Sequence, residues 1–126
     1  DWDAALWMAM PSAVIVGVEA LRRGGVCTQI SPRPEVAVSR THPVFKVDAR
    51  YQLAVRPNAW FVIVARGCVA QPRDRAAVLR PEWAVADLEA RGGIERLHGD
   101  IDRDALDAKA LNDAREHLSR IPSDPS

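Results

Sequence analysis

Apolar and polar positions alternate along this chain in two different rhythms. From Pro43 to Arg56 the period is two: Phe45, Val47, Ala49, Tyr51, Leu53 and Val55 fall on one side, and Val44, Lys46, Asp48, Arg50, Gln52, Ala54 and Arg56 on the other. That alternation predicts a long strand with one buried and one wet face, long enough to bend or split at a barrel corner. Arg56-Pro57-Asn58-Ala59 reads as a turn, and Trp60 to Ala70 as a returning strand, apolar on both faces and therefore central. Upstream, Ala13 to Leu21 is rich in β-branched residues and Val26 to Ser31 alternates. The Gly24-Gly25 pair between them predicts a hairpin with Arg22 and Arg23 at its tip. Prolines at 32, 34 and 43 make Glu35 to Thr41 an exposed loop or edge strand.

The rhythm is helical at both ends. Asp1 to Met10 predicts a short helix, capped by Asp1 or Asp3 and stopped by Pro11. Pro72 to Leu79 and Pro81 to Ala90 read as two helical pieces with proline in the first turn, the second stopped by Arg91-Gly92-Gly93. Asp102 or Asp104 should cap a last helix reaching Arg120, with Leu106, Ala110, Leu111, Ala114 and Leu118 at helical spacing. The tail from Ile121 to Ser126 is polar and proline-rich and should fray. The predicted fold is α+β in a single domain over 1–126. A short helix and a small antiparallel sheet or partly closed β-barrel occupy 1–70, and helices occupy 71–126.

Composition narrows the partners. A chain of 126 residues can bury a core without metal or disulfides. Seventeen basic and 17 acidic residues cancel, which argues against bulk attraction to nucleic acid or an anionic membrane. Such neutrality suits a protein held in an assembly. Cys27 and Cys68 form no CxxC pair and read as buried thiols, with a disulfide between neighbouring strands as the alternative. The apolar stretch Ala4 to Val18 follows acidic residues and is broken by Pro11, unlike a signal peptide, and Glu19 comes too soon for a membrane span. A cytoplasmic or virion-like location is the expectation.

No catalytic or cofactor motif stands out. Asp100, Asp102 and Asp104 alternate as in a calcium loop, but Ala105 and Leu111 replace the glycine and the bidentate glutamate such a loop needs, so capping is the expected role. His42 and Asp48 could serve a small nuclease-type enzyme, yet no second carboxylate is suitably spaced for acid–base work. Arg22-Arg23-Gly24-Gly25 lacks the Walker pattern. The site expectation is therefore an interface, with Trp2, Trp7, Arg22, Arg23, Arg50 and Arg56 as its candidates. Four tryptophans are many beside two Phe and one Tyr, and one of Trp2 and Trp7 should be left over for a partner chain.

The opening Asp1-Trp2-Asp3-Ala4-Ala5-Leu6 and the stretch Val38-Ser39-Arg40-Thr41-His42-Pro43-Val44-Phe45-Lys46-Val47 resemble small head–tail joining proteins of tailed phages. The resemblance spans about residues 1–70; Pro57-Asn58 stands where that family has a Gly-Asp turn, and the region from Pro72 is additional. It implies a helix before a small β-barrel, no cofactor, and a homo-oligomer contacting other assembly proteins. The expected function is thus a non-catalytic structural or interaction protein, and the resemblance implies an oligomeric head–tail connector of a phage-like particle. A small partner-neutralising protein of the immunity or antitoxin kind, or the enzyme using His42 and Asp48, is the alternative.

Overall fold

A computed structural model describes residues 2–39, 50–97 and 100–121. Helix α1 (Trp2–Ala9) leads to strand β1 (Val14–Ile15), helix α2 (Gly17–Arg23), and strands β2 (Glu35–Ser39) and β3 (Gln52–Arg56). Helix α3 (Asn58–Val64), strands β4 (Cys68–Val69) and β5 (Ala77–Leu79), and helices α4 (Pro81–Ala90) and α5 (Ala108–Ser119) complete the order. The strands form one open sheet in the order β3-β2-β1-β5-β4. β1 runs antiparallel to β2 and parallel to β5, β2 parallel to β3, and β4 antiparallel to β5. The α+β class holds, but the sheet is mixed rather than antiparallel, and it is not closed into a barrel.

The predicted hairpin around Gly24-Gly25 is instead a helix end. Gly17 takes a φ of +64°, which stops β1 after two residues and starts α2. Glu19 then meets Arg22 and Arg23 three and four residues on, the spacing that supports a helical turn. Gly25 takes a φ of +78° and donates to the Arg22 carbonyl (3.1 Å), while Val26 donates to that of Leu21 (3.1 Å). These are the two bonds of a Schellman stop. Downstream of it, only Cys27 bridges, to Ile101, so 26–31 is not a strand.

Four further expectations need correction. β2 is an inner strand, with Val36, Ala37 and Val38 buried, because Pro32 and Pro34 precede the ladder instead of interrupting it. Pro34 contributes only its carbonyl, to the Gln52 N–H at 2.9 Å. Residues 58–64 are helical despite their strand-forming side chains. The turn brings Trp60 and Val64, four apart, onto one buried face and leaves Val62 outside; packing overrides propensity here. Residues 77–79 form β5, next to β1, where a helix was expected. Finally, the alternation of the long strand fades at the sheet edge: Tyr51 is buried, Leu53 half-buried and Val55 59% exposed, while Arg56, assigned to the wet face, is largely buried. Arg50 and Gln52 are exposed as expected, and residues 43–49, with Phe45, Lys46, Val47 and Asp48, lie outside the described residues.

α1 and α4 fall where the helical rhythm placed them, whereas α5 starts at Ala108, past the expected cap at Asp102 or Asp104 and past Leu106. α4 starts with Pro81 in its first turn. It ends in a second Schellman stop, with Gly92 donating to the Glu89 carbonyl (3.1 Å) and Gly93 to that of Leu88 (2.8 Å). The cap of α5 is Asp107, whose carboxylate takes the N–H groups of Lys109 and Ala110; Asp102 caps the short 3-10 turn before it. The core joins Leu6 of α1 and Met10 just after it to Ile15, Leu21, Val36, Leu79 and Val85, all shut away from solvent.

Candidate functional site

Two ionic clusters flank this core, and in the first Asp3, expected only as a helix cap, holds arginines from distant segments. Asp3 of α1 takes two bonds from Arg23 (2.8 and 3.1 Å), one from Arg75 (3.2 Å) and one from the Tyr51 hydroxyl (3.2 Å). Glu19, 5% exposed, takes Arg22 at 2.6 Å and Arg23 at 2.7 Å. The guanidinium of Arg50 lies 5.8 Å from the Trp2 ring centre. The structure therefore gathers Trp2, Arg22, Arg23 and Arg50 around the start of α1 and the end of α2. Trp2 is 52% exposed and Trp7 half-buried. Arg56 belongs to the other cluster, and His42 lies outside the described residues together with Asp48.

Burial opposes the negative charges of Asp3 and Glu19, but the arginines outweigh it and hold both carboxyls below their usual range. Burial, then Asp3, push the Tyr51 hydroxyl up to about 12, so it stays a neutral donor. A carboxyl depressed in the fold contributes stability above its unfolded value, and that contribution is lost as pH falls through the unfolded value toward the folded one. Urea midpoints are expected to hold from neutral pH to about pH 5 and to fall below about pH 4.5, with Glu19→Gln flattening the fall. An identical acid profile in Glu19→Gln would remove Glu19 from this role.

In the second cluster, Asp87 of α4 is 2% exposed. Its Oδ1 accepts Trp60 Nε1–H at 3.1 Å, and its Oδ2 accepts Arg91 Nε–H at 3.1 Å. The two terminal nitrogens of Arg91 grip Glu35 at 2.9 Å each. Arg56 stands 3.8 Å from Asp87 Oδ2, with its guanidinium 5.7 Å from the Trp60 ring centre. Asp87 and Arg91 are four apart on one helix, and Glu19 with Arg22 and Arg23 repeat that logic on α2. On α2 this spacing competes with the strand signal of Val14, Ile15, Val16 and Val18.

Neither cluster presents a nucleophile to a base. Burial pushes the Cys68 thiol up to about 11, so it is protonated at neutral pH. His117 has both ring nitrogens engaged, Nε2 with Arg66 and Nδ1 with the Asp113 carbonyl, each at 2.8 Å. Among the described residues no group of three His, Cys, Asp or Glu side chains could hold a metal ion, and no helix is long and apolar enough to cross a membrane.

The outer side of α1 is different in kind. Within Trp2–Ala9 the one charged residue is Asp3, and it is turned inward onto Arg23, Arg75 and Tyr51. Trp2, Ala5 and Met8 follow at intervals of three along the outward side, with Met8 76% exposed. The helix is thus apolar outward and charged inward, the reverse of a solvent-facing helix. No family model matches the chain and no curated protein matches it, so its chemistry is read from its own side chains.

Proposed function

We propose that this chain is a non-catalytic interaction domain that associates with further copies of itself through the outer side of α1. The observation that supports this is the inverted polarity of that helix. Its only charge is tied to Arg23, Arg75 and Tyr51, while an indole and a thioether stand outside. Exposed apolar surface of this kind marks an interaction site, and tryptophan is enriched where binding energy concentrates. Ala5 between Trp2 and Met8 lets a second helix approach closely, and a balanced charge of 17 against 17 offers no long-range repulsion between copies. Arg50, stacked near Trp2, would stand at the rim.

Light scattering on the purified chain tests this. Trp2→Ala is expected to weaken association by about 2 kcal/mol, roughly 30-fold in dissociation constant, with little change in monomer stability because the indole is half outside already. A chain that stays monomeric at high concentration overturns self-association; if it then binds a different protein through Trp2, the partner-neutralising reading takes its place. The finer reading, a ring-forming connector of a phage-like particle, requires a closed ring of fixed copy number, since an open sheet is not the barrel that the resemblance implies. For the enzymatic alternative, His42→Ala and Asp48→Ala are expected to leave any hydrolytic activity of the chain unchanged. A loss of several hundredfold with the fold retained, on the scale of a lost general base, would replace the interaction reading with an enzyme.

A further inference from the structure

Arg56 closes β3 and lines a cleft of about 250 Å³ with Trp60, Asp87, Arg91, Leu118 and Ile121. The volume equals that of roughly eight waters. The cleft's walls are aromatic and aliphatic, and its charged lining, Arg56, Arg91 and Asp87, sums to one positive charge. The two arginines differ in one respect. Arg91 has every nitrogen bonded, Nε to Asp87 and both terminal nitrogens to Glu35. Arg56 has two buried nitrogens, Nε and Nη2, without a hydrogen-bond acceptor. Asp87 Oδ2, at 3.8 Å, is within ion-pair range and beyond hydrogen-bond range, and both oxygens of that carboxylate already have donors.

Buried polar groups in folded proteins are nearly always paired, so two on one guanidinium call for an acceptor. Nε–H and Nη2–H lie along one edge of the guanidinium and point in parallel. That edge is the fork to which a carboxylate binds with both oxygens. Burial also disfavours the Arg56 cation more than Asp87 favours it, which a second anion would redress. We propose that this cleft binds a small organic carboxylate. The carboxylate takes the Nε–H and Nη2–H of Arg56, and its apolar body lies against Trp60, Leu118 and Ile121. Because both nitrogens are shut from solvent, capture must turn this edge of Arg56 toward the cleft, and the Trp60 ring, whose centre is 5.7 Å from the guanidinium, reports the event. The site is separate from the outer side of α1 and does not depend on self-association.

The test titrates benzoate, and its neutral isostere benzamide, into the ¹⁵N-labelled chain and follows the Trp60 Nε1–H resonance. Benzoate is expected to give a saturable shift, and benzamide a response at least about tenfold weaker, since it lacks the second acceptor and the charge. Arg56→Lys keeps the charge without the fork and is expected to weaken benzoate about tenfold. Ala90→Leu, which adds bulk to the cleft wall and keeps Arg56, is expected to weaken benzoate binding. No saturable benzoate shift, equal responses to benzoate and benzamide, or an undiminished response in both variants would each overturn the proposal.

Discussion

Asp87→Ala is expected to cost roughly 3–5 kcal/mol of folding stability, the scale for removing one partner of a buried charge cluster. The carboxylate is 2% exposed and serves three groups at once. Without it, Trp60 Nε1–H and Arg91 Nε–H lose acceptors at 3.1 Å, and Arg56 loses its nearest anion at 3.8 Å. An unsatisfied buried donor costs about 1–3 kcal/mol, more when charged, so the indole and the two guanidinium groups together reach that range. Asp87→Asn keeps an acceptor for the indole but no charge for the arginines, and is expected to fall between wild type and Asp87→Ala. Urea denaturation followed by tryptophan fluorescence measures all three. A loss under about 1 kcal/mol in Asp87→Ala would mean that Arg56 and Arg91 find water or Glu35 in its place, and would remove Asp87 as the anchor of α4 to α3.

How much of this was legible in the sequence is best seen in one repeated tripeptide. Arg23-Gly24-Gly25 and Arg91-Gly92-Gly93 both end helices with the same pair of backbone bonds, yet only the second was read as a helix stop. The difference lay upstream. Trp83 and Leu88 gave a helical stripe before the second, whereas Val14, Ile15, Val16 and Val18 gave a strand signal before the first. That signal was real for two residues, until Gly17 turned the chain. The Glu19, Arg22, Arg23 spacing was the competing evidence for a helix, and it outweighs β-branching once the helix buries Ala20 and Leu21.

The same competition explains α3. Trp60 to Val64 is strand-like by propensity, and nothing local reveals that Asp87, 27 residues away, waits for the Trp60 indole. The exposure of Trp2 was more legible, because α1 forms where its helical rhythm placed it. Trp2 stands exposed, as apolar accounting anticipated, although the reason that Asp3 turns inward is tertiary: Arg23, Arg75 and Tyr51 come from 20, 72 and 48 residues away. Arg56, expected on a wet strand face, is drawn inward because β3 ends beside the buried Asp87.

A close approach at Gly67 yields the second large effect. Gly67 ends the 3-10 turn after α3, and a methyl group placed on it would lie 2.2 Å from Trp83 Cδ2, with two further ring atoms at 2.4 Å. Trp83 is 4% exposed, and its indole cannot step aside without vacating the core. Next to that contact the Gly67 carbonyl accepts the Arg80 N–H at 2.8 Å, so the turn is also fixed to the residue that opens α4. Either the ring leaves its rotamer or the turn backs away and loses that bond. Gly67→Ala is therefore expected to cost about 3 kcal/mol, the upper part of the range for overpacking. The contact predicts its own rescue. In a Trp83→Leu background the space opens, and Gly67→Ala should then cost less than about 1 kcal/mol, even though Trp83→Leu is itself destabilising. Four proteins, measured by urea denaturation, close the cycle. Equal costs of Gly67→Ala in the two backgrounds would show that the glycine serves the backbone of the turn and not the indole packed on it.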